Sequence, residues 1–116
     1  MSNAASAKLS HDNVLERLTQ ILAERRAADP KSSYVAGLYA QGLEAILAKV
    51  EEESAEVLDA ARTGDDAHLI HEVADLWFHT MVMLLQRDLQ PSQVIRELQD
   101  RMGISGLDEK ASRQSN

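Results

Sequence analysis

The segment KVEEESAE, residues 49–56, and the segment EVAD, residues 72–75, dominate the interpretation of this chain. The first carries four glutamates within six positions, and fifteen residues separate it from the second. Like charges at neighbouring positions of a helix repel, at a cost of about a few tenths of a kcal/mol per pair. The run therefore indicates either a solvated helix face or a site for a positively charged group.

Apolar residues on both sides of these segments recur at helical spacing and predict four helices, at about residues 12–28, 34–62, 67–87 and 91–102. Gly37 and Gly42 weaken the N-terminal half of the second helix, so a kink there or a start nearer Gly42 is the alternative. Residues that cap or break helices mark the boundaries: Asp29-Pro30, Gly64 followed by Asp65 and Asp66, Pro91, and Gly103.

Each long helix carries an apolar stripe that we expect to form the core. In the second helix the stripe is Leu43, Ile46, Leu47, Val50, Val57, Leu58 and Ala61. In the third it is Leu69, Ile70, Val73, Leu76, Trp77 and Leu84, and Met81 and Met83 are most simply core residues as well.

The composition predicts an all-α fold, because only 3% of the residues are aromatic and the 44% that are hydrophobic are mostly Ala, Leu, Val and Ile. Two long helices joined by a tight turn form an αα-hairpin, to which two shorter helices are added. Such an arrangement leaves apolar surface uncovered, so we expect homo-oligomerisation, with a dimer as the default. We assign residues 11–103 to this single domain, 1–10 to a disordered segment with a cloning remnant at Ser2-Asn3-Ala4, and 104–116 to a C-terminal tail.

Several functional classes are disfavoured by charge and composition. A formal net charge of −7, without a basic stripe, argues against nucleic-acid binding. No apolar run approaches the roughly 18 residues of a membrane span, and the N-terminus lacks the layout of a signal peptide. The absence of cysteine fits a reducing compartment. We therefore expect a cytoplasmic protein without membrane or nucleic-acid partners.

Helical geometry places the acidic residues on matching edges of the two long helices. Lys49, Glu53 and Glu56 share one edge of the second helix, and Glu72-Val-Ala-Asp75 puts two more carboxylates on an edge of the third, which also carries His79. If these edges meet, up to four carboxylates converge, which suits Mg²⁺ or Mn²⁺.

The alternative is a solvated face without a metal, because the ExxD pattern also occurs at Glu56 to Asp59 and at Glu97 to Asp100. On spacing alone, His79 is as readily a packed residue as a functional one, and His68 and His71 are expected at the surface. A di-iron carboxylate bundle would need Glu-x-x-His, which this chain lacks.

The pattern Glu53-Ser-Ala-Glu56 followed by Glu72-Val-Ala-Asp75 resembles the ExxE and ExxD signature of the MazG-like all-α nucleoside triphosphate pyrophosphohydrolases. Within that superfamily the chain is similar to the phosphoribosyl-ATP pyrophosphatase family of histidine biosynthesis. The resembling elements are Ser33-Tyr34, Gly42, residues 49–56, residues 72–79 and the tail segment 106–111. The acidic motifs mark the superfamily, whereas Ser33-Tyr34, His79 and the tail segment narrow the resemblance to this family.

Two departures from the family pattern are Glu51, where glycine is usual, and Trp77-Phe78, where Leu-Tyr is usual. Glu51 lies on the far side of its helix from the acidic edge. We expect it to alter packing or an oligomer contact and not the chemistry.

The resemblance implies a MazG-like helical bundle that hydrolyses phosphoribosyl-ATP between its α and β phosphates with Mg²⁺, with Mn²⁺ as a substitute. The implied metal ligands are Glu53, Glu56, Glu72 and Asp75, and these with Glu52 form the implied catalytic set. Glu52 either completes the metal's surroundings or helps to activate the attacking water. The active form is implied to be a homodimer or larger, with a site that draws on one subunit or on two.

The same resemblance implies substrate-binding roles for Lys49, Ser33, Tyr34 and His79. Lys49 contacts a phosphate, and Ser33 and Tyr34 help to shape the pocket, with a purely capping Ser33 as the alternative. His79 either orients a metal-binding carboxylate without contacting the metal itself, or contacts the substrate.

Two rival functions are also compatible with the sequence. One is a house-cleaning nucleoside triphosphate pyrophosphohydrolase of the same superfamily, with the same chemistry and another nucleotide. The other is a non-enzymatic acidic helical module that dimerises or binds a partner through its apolar flank.

Overall fold

The structure, a computed structural model, describes residues 13–102, and all its regular elements in that range are α-helices. The expected N-terminal segment 1–10, the capping Gly103 and the tail 104–116, including 106–111, lie outside the described residues. Five helices follow one another: α1 (Val14–Arg25), α2 (Tyr34–Gln41), α3 (Leu43–Thr63), α4 (Asp66–Gln86) and α5 (Pro91–Asp100).

The predicted αα-hairpin is confirmed as α3 and α4, each 21 residues long, which pack along each other. Its tight turn depends on two residues. Gly64 ends α3 in the left-handed conformation, with φ at 81°, and the side chain of Asp65 accepts a hydrogen bond from the backbone N–H of His68 at 3.2 Å. Because the turn is short, the acidic edges of the two helices run side by side.

The long second helix predicted for residues 34–62 is two helices, so the bundle has three shorter helices beside the hairpin and not two. Gly42 separates α2 from α3 with φ 98° and ψ 176°, a backbone conformation that is essentially restricted to glycine. The chain therefore bends at Gly42, which is the alternative that the glycine content of this segment indicated. The first helix also ends earlier than predicted, at Arg25.

Replacing Gly42 by alanine is expected to lower the free energy of unfolding by about 1–3 kcal/mol, because any Cβ strains the backbone at this φ and ψ. No atom would clash with the added Cβ, so the effect isolates backbone strain. Gly64→Ala is the matched control, since left-handed helical φ and ψ cost a side chain about 1 kcal/mol. Chemical denaturation of the wild type and both variants measures the free energies of unfolding to be compared. Equal stability of Gly42→Ala and the wild type would contradict the assignment of strain.

The buried core lies between α2, the start of α3 and the C-terminal ends of α1 and α4. Its fully buried side chains include Leu22 of α1, Ile46 of α3 and Val82 of α4, and the predicted core residue Met81 is buried with them. Tyr39 of α2 is buried too, and its hydroxyl donates to the backbone carbonyl of Leu22 at 3.1 Å. The short helix α2 is thus anchored on the same cluster that holds the hairpin.

Part of the predicted core stripe is on the surface, and this expectation was wrong. Leu47 and Leu58 of α3 and Ile70 and Trp77 of α4 are exposed, Ile70 to 70% and Trp77 to 59%. The hairpin instead buries the neighbouring face, which carries Ala60 and three polar residues, Glu53, Glu72 and His79. We call the exposed set Leu47, Leu58, Ile70 and Trp77 the apolar face.

The apolar face continues into a groove of about 440 Å³ between α4, α5 and the start of α1. Trp77 and Leu84 line it from α4, and Val94, Ile95 and Leu98 line it from α5. Pro91 begins α5 as predicted and is buried. Among residues 13–102, no helix combines the length and the apolar character that crossing a membrane requires.

Candidate active site

Three of the predicted acidic residues converge where α3 and α4 pack together. One carboxylate oxygen from each of Glu53, Glu56 and Glu72 lies within 4.8 Å of the other two. Glu53 and Glu72 are buried, with 5% and 7% exposure, whereas Glu56 is exposed at the mouth of the cluster. Residues from both acidic segments therefore meet, and we call this set the carboxylate cluster.

Two oxygens of the carboxylate cluster are buried without a hydrogen-bond partner, Oε2 of Glu53 and Oε1 of Glu72. The cationic groups paired with the other oxygens of these two side chains are not close: Lys49 Nζ lies 3.8 Å from Glu53 Oε1, and His68 Nε2 lies 3.8 Å from Glu72 Oε2. Leaving buried charge without a close partner is costly, by about several kcal/mol per ion. The oxygens, their number and their lack of partners fit a hard divalent cation.

The close approach of the acidic side chains in the carboxylate cluster affects the pKa of Glu56. Its pKa is raised above the usual value, first because its carboxyl group shares a hydrogen bond with Glu72 and then because the Glu72 charge repels it. Glu53 and Glu52 add smaller repulsion in the same direction. The cluster thus tends to retain a proton when no other positive charge is present.

The fourth predicted ligand, Asp75, is not one of the converging residues. Its side chain is 40% exposed and lies 3.4 Å from Nε2 of His71, one helical turn before it. Asp75 follows Glu72 by three positions on α4, so it remains on the same side of the helix as the carboxylate cluster. The structure brings three of the four predicted ligands together and leaves Asp75 beside them.

Lys49 and Glu52 form a pair at the edge of the carboxylate cluster. The Lys49 ammonium donates to Oε1 of Glu52 at 3.2 Å. This hydrogen bond is the largest cause of the raised pKa of Lys49, which therefore stays charged at neutral pH. Glu52 is more than half exposed. Among the ion pairs of residues 13–102, the cationic partner of the buried Glu53 is Lys49.

Ser33, Tyr34 and His79 form a second group on the same side of the molecule. Ser33 caps α2, since its hydroxyl accepts from the backbone N–H of Ala36 at 3.1 Å. That cap sets Tyr34 at the first position of the helix, and its hydroxyl lies 2.8 Å from Nε2 of the buried His79. Burial raises the pKa of Tyr34, and the nearby Glu53 charge adds to this while Lys49 opposes it. Tyr34 therefore lies within electrostatic reach of the carboxylate cluster.

The pairing of two further histidines with carboxylates was not predicted. His68 and His71 are exposed, as expected, but each approaches an acidic residue four positions later, Glu72 and Asp75 respectively. The signal was present in the sequence, because residues at i and i+4 face each other on a helix. Each acidic residue of the α4 edge, Glu72 and Asp75, therefore has an imidazole beside it.

Comparisons with known proteins identify relatives of this chain. Residues 15–102 match the family model described as phosphoribosyl-ATP pyrophosphohydrolase. A relative named phosphoribosyl-ATP pyrophosphatase from Chromobacterium violaceum is 56% identical over 101 residues, which cover 87% of this chain and 94% of the relative. Relatives with the same name from Methylococcus capsulatus and Neisseria gonorrhoeae are 50% and 51% identical, covering 87% and 88% of this chain and 96% and 95% of their own length.

The family model spans both acidic segments, α2 and His79, so every residue assigned to the site lies inside the matched region. The relatives are covered almost from end to end. The chain belongs to the phosphoribosyl-ATP pyrophosphohydrolase family.

Proposed function

We propose that this chain hydrolyses phosphoribosyl-ATP to phosphoribosyl-AMP and pyrophosphate, the second step of L-histidine biosynthesis. The observation that carries the proposal is the carboxylate cluster, with two buried, unpartnered oxygens, in a chain of this family. A nucleoside triphosphate is repelled by a protein with a net charge of −7 unless cations intervene. The site therefore needs a divalent cation for its substrate as well as for its own carboxylates.

The cation that fits is Mg²⁺, with Mn²⁺ as a substitute, held by Glu53, Glu56 and Glu72. Asp75 joins them by a rotation of its side chain away from His71, which is a small change for a side chain that is 40% exposed. A cation held there would neutralise charge on the triphosphate and stabilise the departing pyrophosphate.

The chain's own residues orient the reacting groups. Lys49 lies at the rim with its ammonium shared between Glu52 and Glu53, and it donates to a phosphate oxygen when the substrate enters. Glu52 then loses its lysine partner and accepts a hydrogen bond from the attacking water. In-line attack requires such positioning of water and phosphate more than any covalent participation by the protein.

The functional form is a homodimer or larger oligomer in the cytoplasm. The apolar face supports association, because four large exposed side chains on two adjacent helices are typical of an interface and not of a solvated monomer surface. The cysteine-free composition supports a reducing compartment.

Pyrophosphate release from the purified protein tests the function. Phosphoribosyl-ATP is offered with Mg²⁺ beside ATP, dUTP and dCTP, with and without EDTA. We expect cation-dependent release that favours phosphoribosyl-ATP by at least roughly a hundredfold in kcat/KM. Preference for another nucleotide would support the same hydrolytic reaction on a different substrate, as in a house-cleaning enzyme. No release from any of them would leave an acidic module that binds a partner.

A further inference from the structure

The contact between Tyr34 and His79 joins two helices at the edge of the site. Tyr34 opens α2 and His79 lies in the middle of α4, 45 positions later. Their rings meet edge to face, with centroids 5.9 Å apart and an angle of 79° between the ring planes. On its other side the imidazole meets Phe78 in the same manner, with centroids 5.4 Å apart. The imidazole is thus held by packing as well as by hydrogen bonds.

Both nitrogens of His79 are used within the protein. Nδ1 lies 2.8 Å from the backbone carbonyl oxygen of Asp75, which can only accept, so Nδ1 carries the proton. In the neutral imidazole Nε2 is then an acceptor, and the Tyr34 hydroxyl donates to it at 2.8 Å. His79 is 6% exposed. It therefore has neither a free nitrogen nor the accessibility to bind a phosphate directly.

Tyr34 has the opposite character, since 57% of its surface is exposed although its hydroxyl is bonded. Its electrostatic neighbours are Lys49, Glu53 and Glu52, the residues that surround the reacting phosphates in the proposed function. The other large exposed aromatic side chain of residues 13–102, Trp77, belongs to the apolar face. Tyr34 thus offers an exposed aromatic ring beside the carboxylate cluster.

We propose that the exposed ring of Tyr34 binds the nucleoside part of the substrate and that His79 is a positioning residue that fixes this ring through its hydroxyl. The proposal rests on the proposed function and adds to it how the nucleotide is held. With the phosphates at the carboxylate cluster, an aromatic ring on the first turn of α2 lies within reach of the base or ribose. Stacking on an aromatic ring stabilises a bound base. A ring already fixed in place loses less entropy when the ligand binds.

Four variants distinguish the contribution of the Tyr34 ring from that of its hydrogen bond to His79. Tyr34→Leu removes the ring, Tyr34→Phe keeps the ring without its hydroxyl, His79→Leu removes the acceptor, and His79→Gln supplies an amide oxygen that can replace Nε2 as acceptor. Tyr39→Phe is the matched control, because it removes a phenol hydroxyl of the same helix whose hydrogen bond lies in the core. For each, turnover of phosphoribosyl-ATP and calorimetric binding of phosphoribosyl-AMP are measured with Mg²⁺.

We expect Tyr34→Phe and His79→Leu each to raise KM and the product Kd roughly fivefold, with kcat within about twofold of the wild type. The double variant Tyr34→Phe/His79→Leu should have a KM and a product Kd no higher than those of either single variant, because both changes break the same contact. Tyr34→Leu should raise KM by at least roughly tenfold. His79→Gln should restore most of the affinity, and Tyr39→Phe should lower the melting temperature without changing KM.

Three results would overturn the proposal. The first is an unchanged KM in Tyr34→Leu, and the second is independent, multiplying effects of Tyr34→Phe and His79→Leu. The third is a change in the Mg²⁺ concentration for half-maximal rate in His79→Leu alone, which would mean that His79 acts through Asp75. Absence of turnover in the wild type would refute the proposed function, and the Kd values for phosphoribosyl-AMP would then decide the role of Tyr34; no product binding would refute both.

Discussion

Glu53→Gln is expected to lower kcat/KM for phosphoribosyl-ATP roughly thousandfold while the fold is kept. Glutamine has nearly the same shape as glutamate but carries no charge, so the variant loses a cation ligand without leaving a cavity. Glu53 is 5% exposed, its Oε2 has no hydrogen-bond partner and Lys49 Nζ lies 3.8 Å from its Oε1, so burying the negative charge costs the cation-free protein more than this loose pair returns. We therefore expect cation-free Glu53→Gln to melt at a higher temperature than the cation-free wild type.

Thermal unfolding with and without Mn²⁺ gives a readout that is independent of activity. A ligand that binds only the folded state raises the melting temperature, so the wild type should gain stability with Mn²⁺ and Glu53→Gln should gain little. Glu97→Gln is the matched control, since Glu97 also begins an ExxD pattern but lies exposed on α5 beside Arg101. Wild-type activity in Glu53→Gln, or equal stabilisation of both variants by Mn²⁺, would contradict the assignment of Glu53 as a ligand.

The αα-hairpin was predictable because its signals are local. Gly64 and Asp65 belong to the chemistry of helix ends, which depends on neighbouring residues alone, and the structure uses both as predicted. Gly42 was predictable only as a weak point. Whether a glycine inside a helical pattern bends the chain depends on what the two halves pack against, and α2 packs with α1 and α4.

The face that the hairpin buries was not predictable from its apolar stripe. Within the single chain, Ile70 and Trp77 of the stripe are exposed, whereas Glu53 and Glu72 on the neighbouring face are buried. Periodicity identifies an apolar face but does not say whether the same chain or another molecule covers it. The carboxylate cluster was predictable in part, since helical spacing puts Glu53, Glu56 and Glu72 on facing edges. The separate position of Asp75 depends on its side-chain contact with His71.

The double substitution Ile70→Glu and Trp77→Glu is expected to raise the dissociation constant of the proposed homo-oligomer by at least roughly a hundredfold. These two residues are seven positions apart on α4 and so lie on one side of it. Both are more than half exposed in the single chain, so glutamate at these positions disturbs no core packing of the subunit. In an interface, the same carboxylates would be buried without partners, which is strongly unfavourable.

Sedimentation velocity over a range of protein concentrations measures the effect. Val14→Glu serves as the control, because Val14 is an exposed apolar residue of α1 outside the apolar face. The wild type and Val14→Glu should sediment as the same oligomer and the double variant as a monomer. A monomeric wild type would contradict the proposal that the apolar face is an interface between copies of this chain. The apolar face would then bind a different partner.

The activity of the monomeric variant then tests how the site is built. All three residues of the carboxylate cluster come from α3 and α4 of one chain, so the monomer should still bind Mn²⁺ and gain thermal stability from it. Turnover at the wild-type rate would mean that one subunit holds the substrate unaided. Retained Mn²⁺ binding with a roughly tenfold or larger loss of kcat/KM would mean that the neighbouring subunit contributes to substrate binding, because the cation ligands are unaffected by dissociation.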